Sequence, residues 1–289
     1  MNNEEKVKLQ KEIEKLEQLT YSLNFWKDPQ KAQEILEEIK KLNILKEGGE
    51  ENDLKSCVIS IFAGTGGDDA EDFVRILFQM YFKFCEKNNF EIQILSQSPN
   101  EQKGYKNISF EILNKGSYGL FKNENGVHRL VRKSPFNAKS KRQTSFAKVE
   151  VLPNIEQKDF QINESDFEIS FAKSQGSGGQ NVNKRETAVR IVDKKSGISV
   201  FVSEGRTQEY NKKRAFDLIR AKLYLKHKED QEKIKQGLKV NDKVEISWGS
   251  QMRNYIFDPY KMIKDTKQNI EITNIQKVLN GDLSDFIKL

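Results

Sequence analysis

Residues 57–84 read CVISIFAGTGGDDAEDFVRILFQMYFKF, and the hydrophobic period changes at the glycines. Cys57 to Phe62 is a short apolar run rich in branched side chains, which predicts a strand. Beyond Gly64, Gly66 and Gly67 the apolar residues Ala70, Phe73, Val74, Leu77, Met80, Tyr81 and Phe84 recur at three- and four-residue intervals, which places them on one face of a helix. A strand that delivers the chain into a helix with a continuous apolar face predicts a sheet covered by that helix. The turn between them is not a phosphate loop. It lacks the lysine and hydroxyl of a Walker motif, and Asp68, Asp69, Glu71 and Asp72 complement the helix dipole while repelling phosphate, so it reads as structural.

Upstream, Val7, Ile13, Leu16 and Leu19, then Ile35, Ile39, Leu42 and Leu45, mark a pair of amphipathic helices broken near Trp26-Lys27-Asp28-Pro29, where the proline suits a first helical turn. A polar linker follows from Glu47 to Asp53. Downstream, strands are expected at Phe90–Leu95, Lys106–Leu113, Gly126–Arg132 and Ser145–Leu152. Pro153–Glu164 is a junction, followed by a strand at Phe167–Phe171 and a hairpin of Ala188–Asp193 with Ile198–Ser203. A long basic helix is expected over Gln208–Lys235, strands at Val244–Trp248 and Asn254–Phe257, and a closing helical segment at Leu283–Leu289. The fold class is α+β, in several domains.

The chain has 289 residues, enough to bury hydrophobic cores without covalent staples. Mean hydropathy is -0.74, and no run approaches the ~20 apolar residues that a membrane-spanning helix needs. The acidic opening Met1–Glu5 carries no basic-then-apolar leader pattern, so a cytoplasmic protein is expected. Cys57 and Cys85 are far apart, with no ligand-spaced partner, which argues for buried thiols and against a metal cage. The formal charge of +6 is unevenly spread: residues 1–60 hold 10 basic and 13 acidic side chains, residues 101–150 hold 11 and 4, and residues 172–228 hold 14 and 5. Two basic blocks behind an acidic head favour a polyanionic partner, because each neutralised phosphate releases counterions.

Protein-based acid–base chemistry has few candidates. His128 and His227 are the two histidines, neither beside a serine or cysteine nucleophile, and the zinc-protease, nucleophile-elbow and dinucleotide patterns are absent. What stands out is SQGSGGQNVNKR over 174–185, a glycine-rich loop running into a basic segment. Glycines let backbone amides approach a reacting centre, and amides aimed at a developing oxyanion stabilise it without titrating. A neutral glutamine orients water but is not a strong base.

Gly178-Gly179-Gln180 within SGGQNVNKRETAVRI resembles the signature of class I peptide chain release factors, and GVHRLVRKSPF over 126–136 resembles the stop-codon-reading segment of the bacterial type-two members. Supporting matches lie at Ile61–Gly67, Thr144–Phe146, Ser203–Gln208, Trp248–Gln251 and Val278–Leu283, so the resemblance runs over 57–289 and fades in the first 56 residues. It implies a short helical region over 1–53, a mixed codon-reading domain over 54–157, a separate α+β domain bearing Gly-Gly-Gln over 158–240, and a C-terminal segment over 241–289 packed with the codon-reading domain. The overall shape would be extended. The implied activity is translation termination: UAA and UGA are read in the ribosomal A site and the peptidyl-tRNA ester is hydrolysed, with ribosomal RNA supplying much of the active site.

By the same resemblance Gly178, Gly179 and Gln180 are the catalytic loop, with Gln180 as the site of side-chain N5-methylation. Ser134, Pro135 and Phe136 read the codon together with Glu124 and Gly126 near its first base, Val131 and Thr144 near its third and Gln143 at the place of a base-stacking residue, and Lys184, Arg185, Arg190 and Arg206 contact RNA. The implied partners are the ribosome with its ribosomal RNA, the mRNA stop codon and P-site peptidyl-tRNA, a glutamine methyltransferase, and a class II release-factor GTPase. No cofactor, metal or membrane is implied. Gln143 stands where the family has a histidine, the 137–141 loop lacks the usual glycine pair, and the helical head is short. These departures keep open a codon-independent or relaxed ribosome-rescue hydrolase. A compact chain of this length has a width of roughly 50 Å, less than the separation of codon and ester, so the resemblance implies that the loop-bearing domain swings about 153–164 and 236–243.

Overall fold

Seven residues, Cys57–Ala63, form β1, with Cys57, Ile59 and Ile61 pointing to one face and Val58, Ser60 and Phe62 to the other. Everything else is arranged around that strand. The computed structural model describes residues 3–21, 25–46, 48–139, 141–155, 159–173, 186–235 and 251–287.

The chain opens with α1 (Asn3–Thr20) and α2 (Pro29–Lys46), which close over Ile13, Phe25, Ala32 and Leu42. Pro29 begins α2, and Asp28 caps it by accepting from the Lys31 amide at 3.2 Å. After β1 comes α3 (Asp68–Lys87), then β2 (Ile92–Pro99), β3 (Tyr105–Ile112), the short α4 (Ser117–Phe121), β4 (Gly126–Lys133) and β5 (Arg142–Pro153). A second unit holds β6 (Phe167–Ala172), β7 (Ala188–Asp193), β8 (Ser199–Val202) and α5 (Gln208–Lys235). The chain returns as β9 (Gln251–Ile256), β10 (Met262–Asp265), β11 (Ile270–Ile272) and α6 (Ile275–Leu279).

The large sheet runs β11-β10-β9-β4-β5-β1-β3-β2, and the small one β6-β7-β8. Its pairings are antiparallel except that of β4 with β9, which is parallel because the chain re-enters from the second unit. The C-terminal strands therefore extend the sheet that β1 began. α3 covers one face, burying Phe73, Leu77, Met80, Tyr81 and Phe84 against Ile59, Ile61, Phe110 and Val149, with Leu283, Phe286 and Ile287 closing the edge. On the other face Val58 and Leu95 join Val189, Ile191, Val202, Ala215 and Ile219, so α5 and the small sheet rest on the back of the large one.

Two expectations need correction. The closing helix falls at Ile275–Leu279 instead of 283–289: the Asn274 side chain accepts from the Lys277 amide to start it, and Gly281, at φ 85° where a Cβ would run into the Phe84 and Lys83 backbone, follows its end. Leu283, Phe286 and Ile287 follow in turns and serve the core. β10 and β11 were not anticipated, because each is a short pairing made in the shadow of β9. The strand expected at Val244–Trp248 lies outside the described residues.

Candidate functional site

β4 and β5 carry the reading segment. They pair Val131 with Thr144, Arg132 with Gln143 and Lys133 with Arg142, and the chain between them turns through Ser134, Pro135 and Phe136. The turn is built by its own side chain: the Ser134 amide donates to the Lys141 carbonyl at 3.1 Å, and the Ser134 hydroxyl accepts from the Phe136 amide at 3.1 Å. Ser134 is buried as a result, while Pro135 and Phe136 stand out of the turn.

Facing this turn is the glycine segment that leads into α3. The Gly64 amide donates to the Phe146 carbonyl at 2.8 Å and the Phe146 amide to the Thr65 carbonyl at 3.0 Å, so the segment is stitched to β5. Gly66 sits at φ 139°, and a Cβ there would meet the Ser145 hydroxyl at 2.8 Å; only glycine passes. The result is an open groove of about 560 Å³ with Gly66, Asp68 and Asp69 on one side and Ser134, Phe136, Asn137, Ala138 and Gln143 on the other. The glycine turn is therefore a wall of the groove as well as a structural joint. Sequence reading missed this because the contact joins segments some eighty residues apart. A glycine-rich strand-to-helix turn close to the reading segment in the sheet order was the available signal.

Of the other expected codon contacts, Gln143 lines the groove and Glu124, Gly126, Val131 and Thr144 do not. Glu124 has no exposed surface: its carboxylate accepts from both Arg253 nitrogens at 2.7 Å and from the Tyr81 hydroxyl at 2.8 Å, and Arg253 also reaches Asp265 at 3.0 Å. The Glu124 carboxylate is thus spent inside the protein, where it holds β9 and α3 to the start of β4. His128 belongs to the same network, with Nε2 3.0 Å from the Glu124 carbonyl and Nδ1 3.4 Å from the Tyr255 hydroxyl; burial, reinforced by Arg253, lowers its pKa to about 4. Gly126 opens β4 against Met252, Val131 is buried in the sheet, and Gln143 and Thr144 are exposed at the start of β5.

Gly178, Gly179, Gln180, Lys184 and Arg185 lie outside the described residues. The strands that flank them in the chain do not: Ala172 on β6 pairs with Ala188 on β7. Arg190, on β7, and Arg206, in the turn before α5, are both exposed. No group of side chains suited to a metal ion occurs among the described residues, and no described helix is long and apolar enough to cross a membrane.

A sheet-borne groove in which Ser134, Phe136 and Gln143 face the acidic head of α3, joined to a basic second unit whose paired strands β6 and β7 flank Gly178–Gln180 in the chain, is the setting for a class: translation factors that free finished peptides. Residues 43–149 match the PCRF domain and residues 154–267 the RF-1 domain. Peptide chain release factor 2 of Clostridium perfringens is 34% identical over 330 residues, covering 96% of this chain and 91% of that protein. The Helicobacter pylori protein of the same name is 40% identical over 239 residues, covering 82% of this chain and 65% of that one. Among solved structures, RF2 of Thermus thermophilus superposes with a TM-score of 0.73 at 28% identity, over 97% of this chain and 93% of the other. The chain belongs to the peptide chain release factor 2 family. It is accordingly a translation-termination protein whose partner is the ribosome.

Proposed function

We propose that this chain reads UAA and UGA in the ribosomal A site and promotes hydrolysis of the peptidyl-tRNA ester. The observation that carries the reading is the groove in which Ser134, Phe136 and Gln143 face the α3 N-terminus. Unpaired bases are read by side-chain hydrogen bonds and aromatic stacking, and the groove offers both. A serine hydroxyl both donates and accepts, so Ser134 tolerates either purine at the second codon position. Val131 and Thr144 would flank the third base, with Gly126 setting the start of the reading strand. In this division of labour residues 54–157, joined by 241–289, read the codon, 158–240 act on the ester, and 1–53 form a separate head.

At the ester the Gln180 backbone amide would stabilise the leaving or transition-state oxygen, its side chain would place water, and Gly178 and Gly179 would permit the required backbone path. The histidines support such a mechanism by default. His128 is sealed in the sheet with a depressed pKa, and His227 lies on the exposed side of α5 against Phe160, and this mechanism assigns no proton transfer to either. Lys184, Arg185, Arg190 and Arg206 would bind ribosomal or transfer RNA. A glutamine methyltransferase modifying Gln180, a class II GTPase engaging the short head, and a cytoplasmic setting belong to the same reading.

The test is peptide release from ribosomes programmed with UAA, UGA, UAG, a sense codon or an empty A site. Release on UAA and UGA alone is expected. Equal release on every programme would instead favour a rescue hydrolase, the reading to which exposed Gln143 lends weight, since an amide stacks on a base less well than imidazole. Gly179→Ala should abolish release while ribosome affinity stays within about threefold, as befits a residue used only in the transition state.

A further inference from the structure

Arg132 spans the groove. It leaves β4 two residues before Ser134 and crosses to the first turn of α3, where Nη2 and Nε donate to Asp69 Oδ1 at 2.8 and 3.1 Å and Nη1 meets Asp72 Oδ2 at 2.7 Å. Its guanidinium carbon also lies 5.9 Å from the centre of the Phe136 ring. The arginine side chain is 13% exposed and the two carboxylates 8% and 6%, so these contacts are shielded from solvent. One residue therefore grips the helix that forms one wall of the groove and underlies the aromatic ring of the other.

Two consequences follow from this geometry. A planar guanidinium that binds two carboxylates at once fixes both distance and angle between the walls, which a point-charge ammonium does not. Asp69 and Asp72 would also present two negative charges beneath a site meant for RNA. Arg132, with Arg75 on Asp72 at 2.5 Å, offsets them, whereas bare carboxylates there would repel a polyanion. Of the four carboxylates at the head of α3, Asp69 and Asp72 are paired by Arg132 from β4, and Asp72 also by Arg75 from α3 itself.

We infer that Arg132 is a positioning residue for codon reading: it sets the width and charge of the groove, and so governs discrimination among codons without taking part in ester hydrolysis. The inference rests on the codon-reading function proposed above. Its test uses the full chain with Arg132→Lys, and Asp72→Asn as a milder second variant, on ribosomes carrying UAA, UGA, UAG or a sense codon. Arg132→Lys should raise the concentration for half-maximal release on UAA and UGA about tenfold, the scale expected when a bidentate charge-assisted contact is lost. The rate at saturating factor should be unchanged, and the preference for UAA over UAG should shrink. Asp72→Asn should move the same quantities in the same direction and less far. A variant that melts with the unsubstituted chain yet keeps its half-maximal concentration and codon preference overturns the inference, as does an equal loss of saturating rate on all codons. Uniform release by the unsubstituted chain would overturn the codon-reading function itself, and is distinguishable because it needs no variant.

Discussion

The two faces of β1 are made of alternate residues of one strand and meet very different neighbours. Cys57, Ile59 and Ile61 enter a buried apolar layer beneath α3, whose Tyr81 also bonds the sealed Glu124–Arg253–Asp265 network. Val58, Ser60 and Phe62 face the second unit across a contact that is partly apolar and partly ionic, with Arg214 on Glu111, Lys222 on Glu150 at 2.8 Å, and the Asn52 amide donating to the Tyr224 hydroxyl at 3.0 Å. That contact leaves a cleft of about 560 Å³ whose lining includes Ser60, Phe62, Ser109, Lys148, Arg190 and Phe201. Dense apolar packing resists separation, whereas an interface of charged pairs around a polar cleft resembles a docking contact between domains. The inner face holds the groove together, and the outer face holds the second unit against the first.

The comparison is tested most severely inside, at Arg253. Removing one partner of a buried charged network leaves the others uncompensated, so Arg253→Leu should strand Glu124 and Asp265 and cost about 3–5 kcal/mol in urea unfolding. Phe110→Ala, which empties space beside α3, should cost a similar amount of about 3–5 kcal/mol. A loss below about 1 kcal/mol in either, the surface-pair scale, would show that the inner face is no firmer than the outer.

His128 gives the next effect, with a definite sign. Its folded pKa of about 4 lies below the ordinary imidazole value of 6.5, so the fold favours the neutral ring. The stability this contributes is present above pH 6.5 and lost as pH falls through about 4, a swing of roughly 3 kcal/mol if fully expressed. Comparing the chain with His128→Gln at pH 7 and pH 4 removes the carboxylates common to both. The unsubstituted chain should lose more stability on acidification, and parallel losses would place His128 in contact with solvent.

Much of this contrast was legible in the sequence, and its limits are physical. The change from strand to helix periodicity at Gly64–Gly67 located the core, and the branched run at Cys57–Phe62 located its central strand, because both are local patterns. The same run could not say which face meets α3 and which meets α5. Ser134–Phe136 was recognisable as a segment, but Arg132 beside it read as one more basic residue until the fold brought Asp69 and Asp72 across the groove. Glu124 is a second case: its family match named it without its partner, and the returning C-terminal strand carries Arg253 to it over 129 positions. Long-range ion pairs have no periodicity to betray them.

The smallest expected effect lies on the outer face, at Glu111. Burial pushes its carboxyl above the usual carboxylate range and Asp217 adds to this, while Arg214 pulls it back without fully offsetting the loss of hydration. A raised pKa means that docking favours the protonated form, so this contribution is complete below the ordinary value of about 4.3 and fades as pH rises through the raised one. Glu111→Gln imitates the protonated state, keeps an acceptor for the Asn154 amide, and leaves Arg214 within reach of Asp217 at 3.9 Å. The substitution should therefore shift unfolding of the second unit by less than about 1 kcal/mol at pH 7, and solution scattering should give an unchanged radius of gyration. A drop of several kcal/mol, or an expanded particle, would mean that the ion pair itself fastens the two units, and that the outer face is bound as firmly as the inner one by different means.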